Sequence, residues 1–135
     1  MVMKWIDQAG YAGAVGWSGR YCVTVALGGI RFLQPILIGD LVTVRAKLIH
    51  TGHSSMHFAV DVAARDLKLT ASRLATSCVI VFVSLEAPDG KPSEVPGWQP
   101  VDEVDCRLAT YAQRLQALSR TMEDEVARMR DPAGG

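Results

Sequence analysis

The sequence is poor in cysteine: Cys22, Cys78 and Cys106 are the three among 135 residues, and they stand far apart. None belongs to a C-x-x-C pair, so we expect packed, reduced thiols rather than a disulfide framework or a zinc site. No apolar run approaches the roughly 20 residues that a helix needs to cross a bilayer. These absences exclude a disulfide scaffold and a membrane-spanning helix, and the thiols favour a cytoplasmic location.

An excess of charge of one sign is also absent, because 14 lysine and arginine residues balance 14 aspartate and glutamate residues. Without a net basic field the chain has no global means of holding nucleic acid or an anionic membrane, so we expect neither partner. Apolar residues, in contrast, make up 49% of the chain. At about the usual domain length of roughly 100–150 residues, this content predicts one folded domain with its own core.

The first segment, residues 3–17, interleaves alanine with glycine at every third position from Gly10 to Gly16. An exposed helix of this composition would be poor, because each glycine costs about 1 kcal/mol relative to alanine. Lys4 and Asp7 are its only charged residues. A helix that is apolar nearly all round is expected to be wrapped by other structure, so the segment predicts a buried helix.

The middle of the chain predicts antiparallel strands. They cover residues 21–27, 41–50, 56–64 and 74–85. The first of them is followed by the glycine pair Gly28-Gly29 and continues from Ile30 to Leu33, before Pro35. Thr51-Gly52-His53 marks a hairpin turn. The last strand is nearly continuously apolar, which predicts a central place in the sheet.

The C-terminal third predicts a second helix. Its large apolar residues recur at spacings of three and four: Val104, Leu108, Tyr111, Leu115, Leu118, Met122, Val126 and Met129. Such a stripe indicates a docking or oligomer surface. We therefore divide the chain into a core of residues 1–98 and an appended helix with a frayed tail, residues 99–135. The fold class is α+β, with an antiparallel sheet wrapped around the first helix.

Several ordered segments resemble one known family. They are Trp5–Gly10, Val23–Val25, Phe32–Pro35 with Gly39–Asp40, Thr51–Met56, and Asp89–Pro92 with Val95–Pro96. Together they are similar to the hotdog-fold acyl-CoA thioesterases, in the subfamily of the bacterial short-chain and brain acyl-CoA hydrolases. The resemblance spans about residues 3–97.

The resemblance implies a hotdog fold whose protomers pair to build the active sites, as a homodimer or a trimer of dimers. It implies hydrolysis of acyl-CoA thioesters without a metal or organic cofactor, with Asp7 in the place of the catalytic carboxylate. A carboxylate there acts either as a general base toward water or as a nucleophile that forms a mixed anhydride. The alternative interpretation of Asp7 is a favourable contact with the helix dipole.

The hairpin Gly52–Ser55 is the candidate substrate-binding segment, through backbone amides and hydroxyls toward the CoA part. Ordinary turn chemistry explains Gly52, His53, Ser54 and Ser55 equally well. The family usually has arginine in place of His53, and a largely uncharged histidine weakens any phosphate contact. A metal site at the hairpin histidines lacks an acidic or cysteine partner, so we expect no metal there.

The family normally has a strand and a glycine pair before its helix, whereas this chain enters its helix almost at once. We expect either an upstream extension or a hotdog that lacks its first strand, and the source of the oxyanion donor stays open. Two rivals to a thioesterase remain, a catalytically silent module that binds acyl-CoA and a structural subunit of a larger assembly.

Overall fold

The computed structural model describes residues 2–88 and 90–130, so Asp89 and the predicted tail at 131–135 lie outside the described residues. Its elements are α1 (Val2–Ser18), β1 (Tyr21–Phe32), β2 (Leu41–Thr51), β3 (Ser55–Arg65), β4 (Arg73–Leu85) and α2 (Glu103–Arg130). The four strands form one antiparallel sheet in the order β1-β4-β3-β2. The predicted α+β class is therefore confirmed.

Strand β4 occupies the interior of the sheet, between β1 and β3, as its apolar run predicted. Strand β3 pairs with β4 along its length, and Ile80 and Phe58 lie opposite each other within this pair. The outer edges of β1 and β2 pair with no further strand among the described residues. Residues 2–4 are helical, so no strand precedes α1 within the described part of the chain.

Strand β1 continues beyond the glycine pair, as the sequence predicted. The strand runs on to Phe32, with a register irregularity between Gly28 and Arg31. Gly29 adopts a φ of 60°, in the left-handed region that favours glycine. A Cβ there would lie 2.5 Å from the Tyr111 hydroxyl oxygen. The pair therefore marks a bulge that lets α2 approach β1.

Helix α1 packs closely on one face of the sheet through its glycines. A Cβ at Gly10 would lie 2.7 Å from a ring carbon of Phe82, and one at Gly13 would lie 2.8 Å from the ring of Phe58. Both rings are buried, and Ile6 of α1 is fully buried beside them. The opposite side of α1 is exposed in the single chain, so the expected burial of the helix holds here for the side that faces the sheet. Gly10 and Gly13 allow close contact between α1 and one face of the sheet.

Helix α2 lies on the other face of the sheet and covers it incompletely. Ala112 is fully buried against Ile49 and Val79. Near the start of α2, Lys47 Nζ donates to Asp105 Oδ1 at 2.5 Å, and this bond raises the pKa of Lys47 and lowers that of Asp105. The separation of the chain at residue 98 stays a prediction. Neither helix of the described residues is long and apolar enough to cross a membrane.

Candidate active site

Asp7 lies inside α1 rather than at its N-terminus. The helix begins at Val2, and its first turn holds no acidic residue. Because the field of the helix dipole falls off within the first turn, dipole stabilisation does not explain an acid at this position. The alternative interpretation of Asp7 as a dipole contact is therefore wrong.

The side chain of Asp7 is oriented by Thr24 on β1. Thr24 Oγ1 donates a hydrogen bond to Asp7 Oδ1 at 2.9 Å, and both residues are exposed. A β-branched threonine on a strand has restricted χ1 freedom, so its hydroxyl is a stiff donor. The pair stands at the outer edge strand of the sheet, where the carboxylate is open to water and to a reacting carbonyl.

Sequence reasoning did not single out Thr24 as a functional residue. One signal was present, because a lone hydroxyl interrupts the apolar run Cys22–Leu27. That signal is weak on its own, since threonine is an ordinary strand residue. Only the approach of α1 to β1 shows that this hydroxyl reaches a carboxylate 17 positions earlier.

The hairpin Gly52–Ser55 connects β2 to β3, and its backbone is held from several sides. Gly52 N donates to Ser55 O at 3.0 Å, which closes the predicted turn. Ser84 N donates to Ser54 O at 2.9 Å, and Val95 N donates to His53 O at 2.9 Å. A loop fixed in this way by β4 and by the connector can present amides and hydroxyls without large reorganisation.

The Asp7–Thr24 pair and the hairpin lie at the same level of the sheet. Thr24 and Met56 both pair with Phe82, which places β1 and β3 about 10 Å apart, two strand spacings, at this level. The side chain of Ser55, next to Met56, nevertheless points to the other face of the sheet. Met56 packs under α1, whereas Ser55 lines a cavity under α2. One chain therefore does not bring Asp7 and Ser55 together.

The three histidines separate into a contacting pair, buried His57 and half-buried His50, and an exposed hairpin residue. The rings of His50 and His57 meet edge to face, with centroids 5.1 Å apart, while His53 is exposed. Burial, and secondarily His50, lowers the pKa of His57 to about 4, and burial also lowers the pKa of His50. Among the described residues, no group of three histidines, cysteines or acids has the geometry to hold a metal ion.

The cysteines are unpaired thiols, with Cys22 and Cys78 buried and Cys106 exposed. Burial raises the pKa of Cys78 to about 11, so this thiol is protonated at neutral pH. A protonated, buried thiol is a poor nucleophile. The predicted packing role is therefore supported for Cys78.

The family model that matches this chain is that of the thioesterase superfamily, over residues 1–71. The chain belongs to the thioesterase superfamily. Protein VdlD of Helicobacter pylori is 27% identical over 106 residues, which cover 78% of this chain. The match spans 60% of the length of that relative.

Two solved structures show the same fold. The acyl-CoA hydrolase of Staphylococcus aureus, solved with butyryl coenzyme A, coenzyme A and coenzyme A disulfide, is 28% identical, covering 95% of this chain and 77% of its own, with a TM-score of 0.83. A hexameric thioesterase of Yersinia pestis is 31% identical, covering 70% of this chain and 78% of its own, with a TM-score of 0.65. The predicted hotdog fold is confirmed.

Proposed function

We propose that this thioesterase-superfamily protein hydrolyses acyl-CoA thioesters to a free acid and CoA. The observation that carries the proposal is the Asp7 carboxylate, held by Thr24 Oγ1 at 2.9 Å and open at the edge of the sheet. This site needs no cofactor or metal for the reaction, because a carboxylate supplies either the base or the nucleophile.

Two routes fit the geometry of Asp7. As a general base, the carboxylate takes a proton from a water that attacks the thioester carbonyl, and the C–S bond breaks to release CoA thiol. As a nucleophile, Asp7 attacks the carbonyl itself, and water then hydrolyses the mixed anhydride. In both routes Thr24 acts as a positioning residue that holds Oδ1 and orients the other carboxylate oxygen.

Related structures support the choice of these two residues. In further structures of the Staphylococcus aureus hydrolase, alanine replaces an aspartate in one and a threonine in another. Those two positions stand as far apart in sequence as Asp7 and Thr24, namely 17 residues. The same residue types at the same separation favour a shared role.

A complete site is proposed to require a second copy of the chain. Asp7 and Ser55 point to opposite faces of one sheet, so CoA held by the hairpin of one protomer reaches an Asp7 only across an interface. Strand β1 offers that interface, because its outer edge is unpaired within the described chain and Tyr21 and Phe32 are more than half exposed. We propose a homodimer or a trimer of dimers, which the hexameric Yersinia pestis relative supports.

The hairpin Gly52–Ser55 is proposed to bind the CoA part of the substrate through its free amides and the hydroxyls of Ser54 and Ser55. Its backbone is already fixed by Ser84 and Val95, so little ordering is needed on binding. The unpaired thiols of the chain support a reducing compartment, and we place the protein in the cytoplasm on that ground.

Replacing Asp7 by asparagine tests the proposal, with thiol release from a panel of acyl-CoAs as the measurement. Asp7→Asn keeps the size of the side chain and its bond to Thr24 but removes the charge needed to take a proton or attack a carbonyl. We expect turnover to fall about 10²–10⁴-fold, the usual worth of such a group. Binding of CoA should stay within about twofold, because the hairpin holds it.

Thr24→Val serves as the matched variant on the other partner of the bond. It should lower turnover less than Asp7→Asn, because the carboxylate remains but loses its orientation. A folded Asp7→Asn protein with wild-type hydrolysis would contradict the proposed role of Asp7. Acyl-CoA binding without thiol release by the wild-type chain would instead identify a silent binding module.

A further inference from the structure

A cavity of about 350 Å³ lies between α2 and the face of the sheet that α1 does not cover. The sheet side of the cavity is a wall of aliphatic side chains: Val25, Val79, Val81 and Val83. Small-molecule sites in proteins commonly occupy about 300–1,000 Å³ and are mostly apolar. The hydrolysis proposed above uses none of this wall.

The cavity exists because the side of α2 that faces the sheet changes from apolar to polar along the helix. At one end Ala112 is buried against the sheet, and Leu115 lies 3.5 Å from the Cβ position of Gly28. From Gln116 onward the residues of α2 that line the cavity are polar, so the helix no longer covers the valines. Val25 therefore remains 54% exposed, and a ligand in the cavity would cover it.

The floor of the cavity is neutral. His57 lines it and is 2% exposed, and its Nε2 has no hydrogen-bond partner among the described residues. Such an unpaired buried nitrogen is rare in folded proteins. Because burial lowers the pKa of His57 to about 4, the ring is uncharged at pH 7. The floor and wall together therefore suit an uncharged, apolar body.

The mouth of the cavity carries a positively charged side chain, with a hydroxyl group and an amide group beside it. Arg120 is the single lysine or arginine that lines the cavity among the described residues, and Gln116 and Ser119 line it next to Arg120. The planar guanidinium matches a carboxylate through two parallel hydrogen bonds. Glu123 also lines the cavity, three residues after Arg120 on α2, and no salt bridge joins the two in the described chain.

We propose that this cavity binds an aliphatic carboxylate, with the chain against the valine wall and the carboxylate at Arg120. The site lies across the sheet from Asp7, so it is separate from the proposed catalytic carboxylate, and Ser55 of the hairpin is the residue that it shares with the proposed CoA-binding segment. The inference does not depend on the proposed hydrolysis, because binding is measured without CoA and without turnover.

Calorimetric titration of the full chain at pH 7 with hexanoate, octanoate and decanoate tests the site. We expect one carboxylate per chain, with the Kd tightening about fourfold for each added methylene, equivalent to about 0.8 kcal/mol. Decylamine, which carries the opposite charge on the same chain, should bind at least about tenfold more weakly than decanoate. Absence of decanoate binding, or tighter binding of decylamine, would overturn the proposal.

Variants of α2 locate the site. Arg120→Gln should weaken decanoate binding about tenfold or more, because it removes a charged hydrogen-bond partner. Ser119→Trp should abolish binding by filling the cavity, whereas Arg114→Gln, an exposed position on the same helix outside the cavity lining, should leave the Kd unchanged.

Asp7→Asn should also bind decanoate normally, which separates this cavity from the proposed active site. Binding that is lost in Asp7→Asn, or retained in Ser119→Trp, would show that the acid occupies another place. Equal losses in Arg114→Gln and Arg120→Gln would show that only the general charge of α2 matters, and the proposed site would be wrong.

Discussion

The two helices bury the two faces of the sheet to very different extents. Under α1, the rings of Phe58 and Phe82 are buried at 3% and 0% exposure, and they meet edge to face with centroids 6.1 Å apart. Under α2, Ala112 is the fully buried residue of the helix interior, and a cavity remains beside it. One face therefore holds the core, and the other is left partly open.

The difference follows from the side chains at each contact. Gly10 and Gly13 let the backbone of α1 approach the sheet until aromatic rings fill the space. Helix α2 instead places Leu115 and Tyr111 against the bulge at Gly28 and Gly29, and beyond Leu115 the residues of α2 that line the cavity are polar. Small residues of α1 therefore allow a tight interface, whereas the polar residues of α2 beyond Leu115 leave the other face partly open.

The strongest test of this comparison uses two adjacent residues of β4 that face opposite helices. Phe82→Ala should lower the free energy of unfolding by about 3–5 kcal/mol, because it leaves a cavity among rings that cannot collapse. Val81→Ala, which faces the open cavity, should cost about 1 kcal/mol. Urea denaturation of both variants measures the difference, and equal losses would contradict the contrast between the faces.

The pH dependence of stability tests the buried His57 on the α2 face. Its pKa falls from 6.5 to about 4 on folding, so the folded state favours the neutral ring. The stabilisation is present above pH 6.5 and is lost as the pH falls from 6.5 to about 4, with a total of about 3 kcal/mol.

Replacing His57 by leucine should remove most of this pH dependence from the unfolding free energy. His53→Gln in the exposed hairpin serves as the control, and its profile should follow that of the wild type. A His57→Leu protein that still loses stability over the same pH range would show that another group titrates there.

Gly29→Ala tests how α2 docks on the bulge. It forces a side chain into a left-handed φ of 60° and places Cβ against the Tyr111 hydroxyl, so we expect a loss of about 1–2 kcal/mol. Gly16→Ala in α1 has open space around it and should instead be neutral or stabilising by up to about 1 kcal/mol. Thermal unfolding of the two variants distinguishes the loss of the α2 contact at Gly29 from a general effect of replacing glycine.

The smallest effect on stability is expected at the exposed part of the α2 stripe. Leu118→Lys and Met122→Lys change side chains that are 60% and 68% exposed, so the unfolding free energy should shift by less than about 0.5 kcal/mol. If the stripe is an oligomer surface, light scattering should nevertheless report a lower mass. Gln113→Lys, outside the stripe, should leave the mass unchanged, and an unchanged mass in all three variants would contradict the oligomer role.

Much of the fold was predictable because it depends on local periodicity. The alternation of β2 and the apolar run of β4 predicted their strands and the interior position of β4. The stripe from Val104 predicted α2, but it left open whether its apolar residues dock within the chain or stay exposed, as most of them do. Periodicity shows which residues share a face, and it does not show whether another element covers that face.

For the candidate site, the sequence by itself determined the residue types: one carboxylate in an apolar helix and a glycine-serine hairpin. Only the tertiary structure decided their relation, because the Thr24–Asp7 bond joins residues 17 positions apart on different elements. It also decided that Asp7 and Ser55 point to opposite faces of the sheet, since side-chain direction depends on strand register. The cavity under α2 was equally beyond the sequence, because its shape depends on how the residues of β1, β3, β4 and α2 pack in three dimensions.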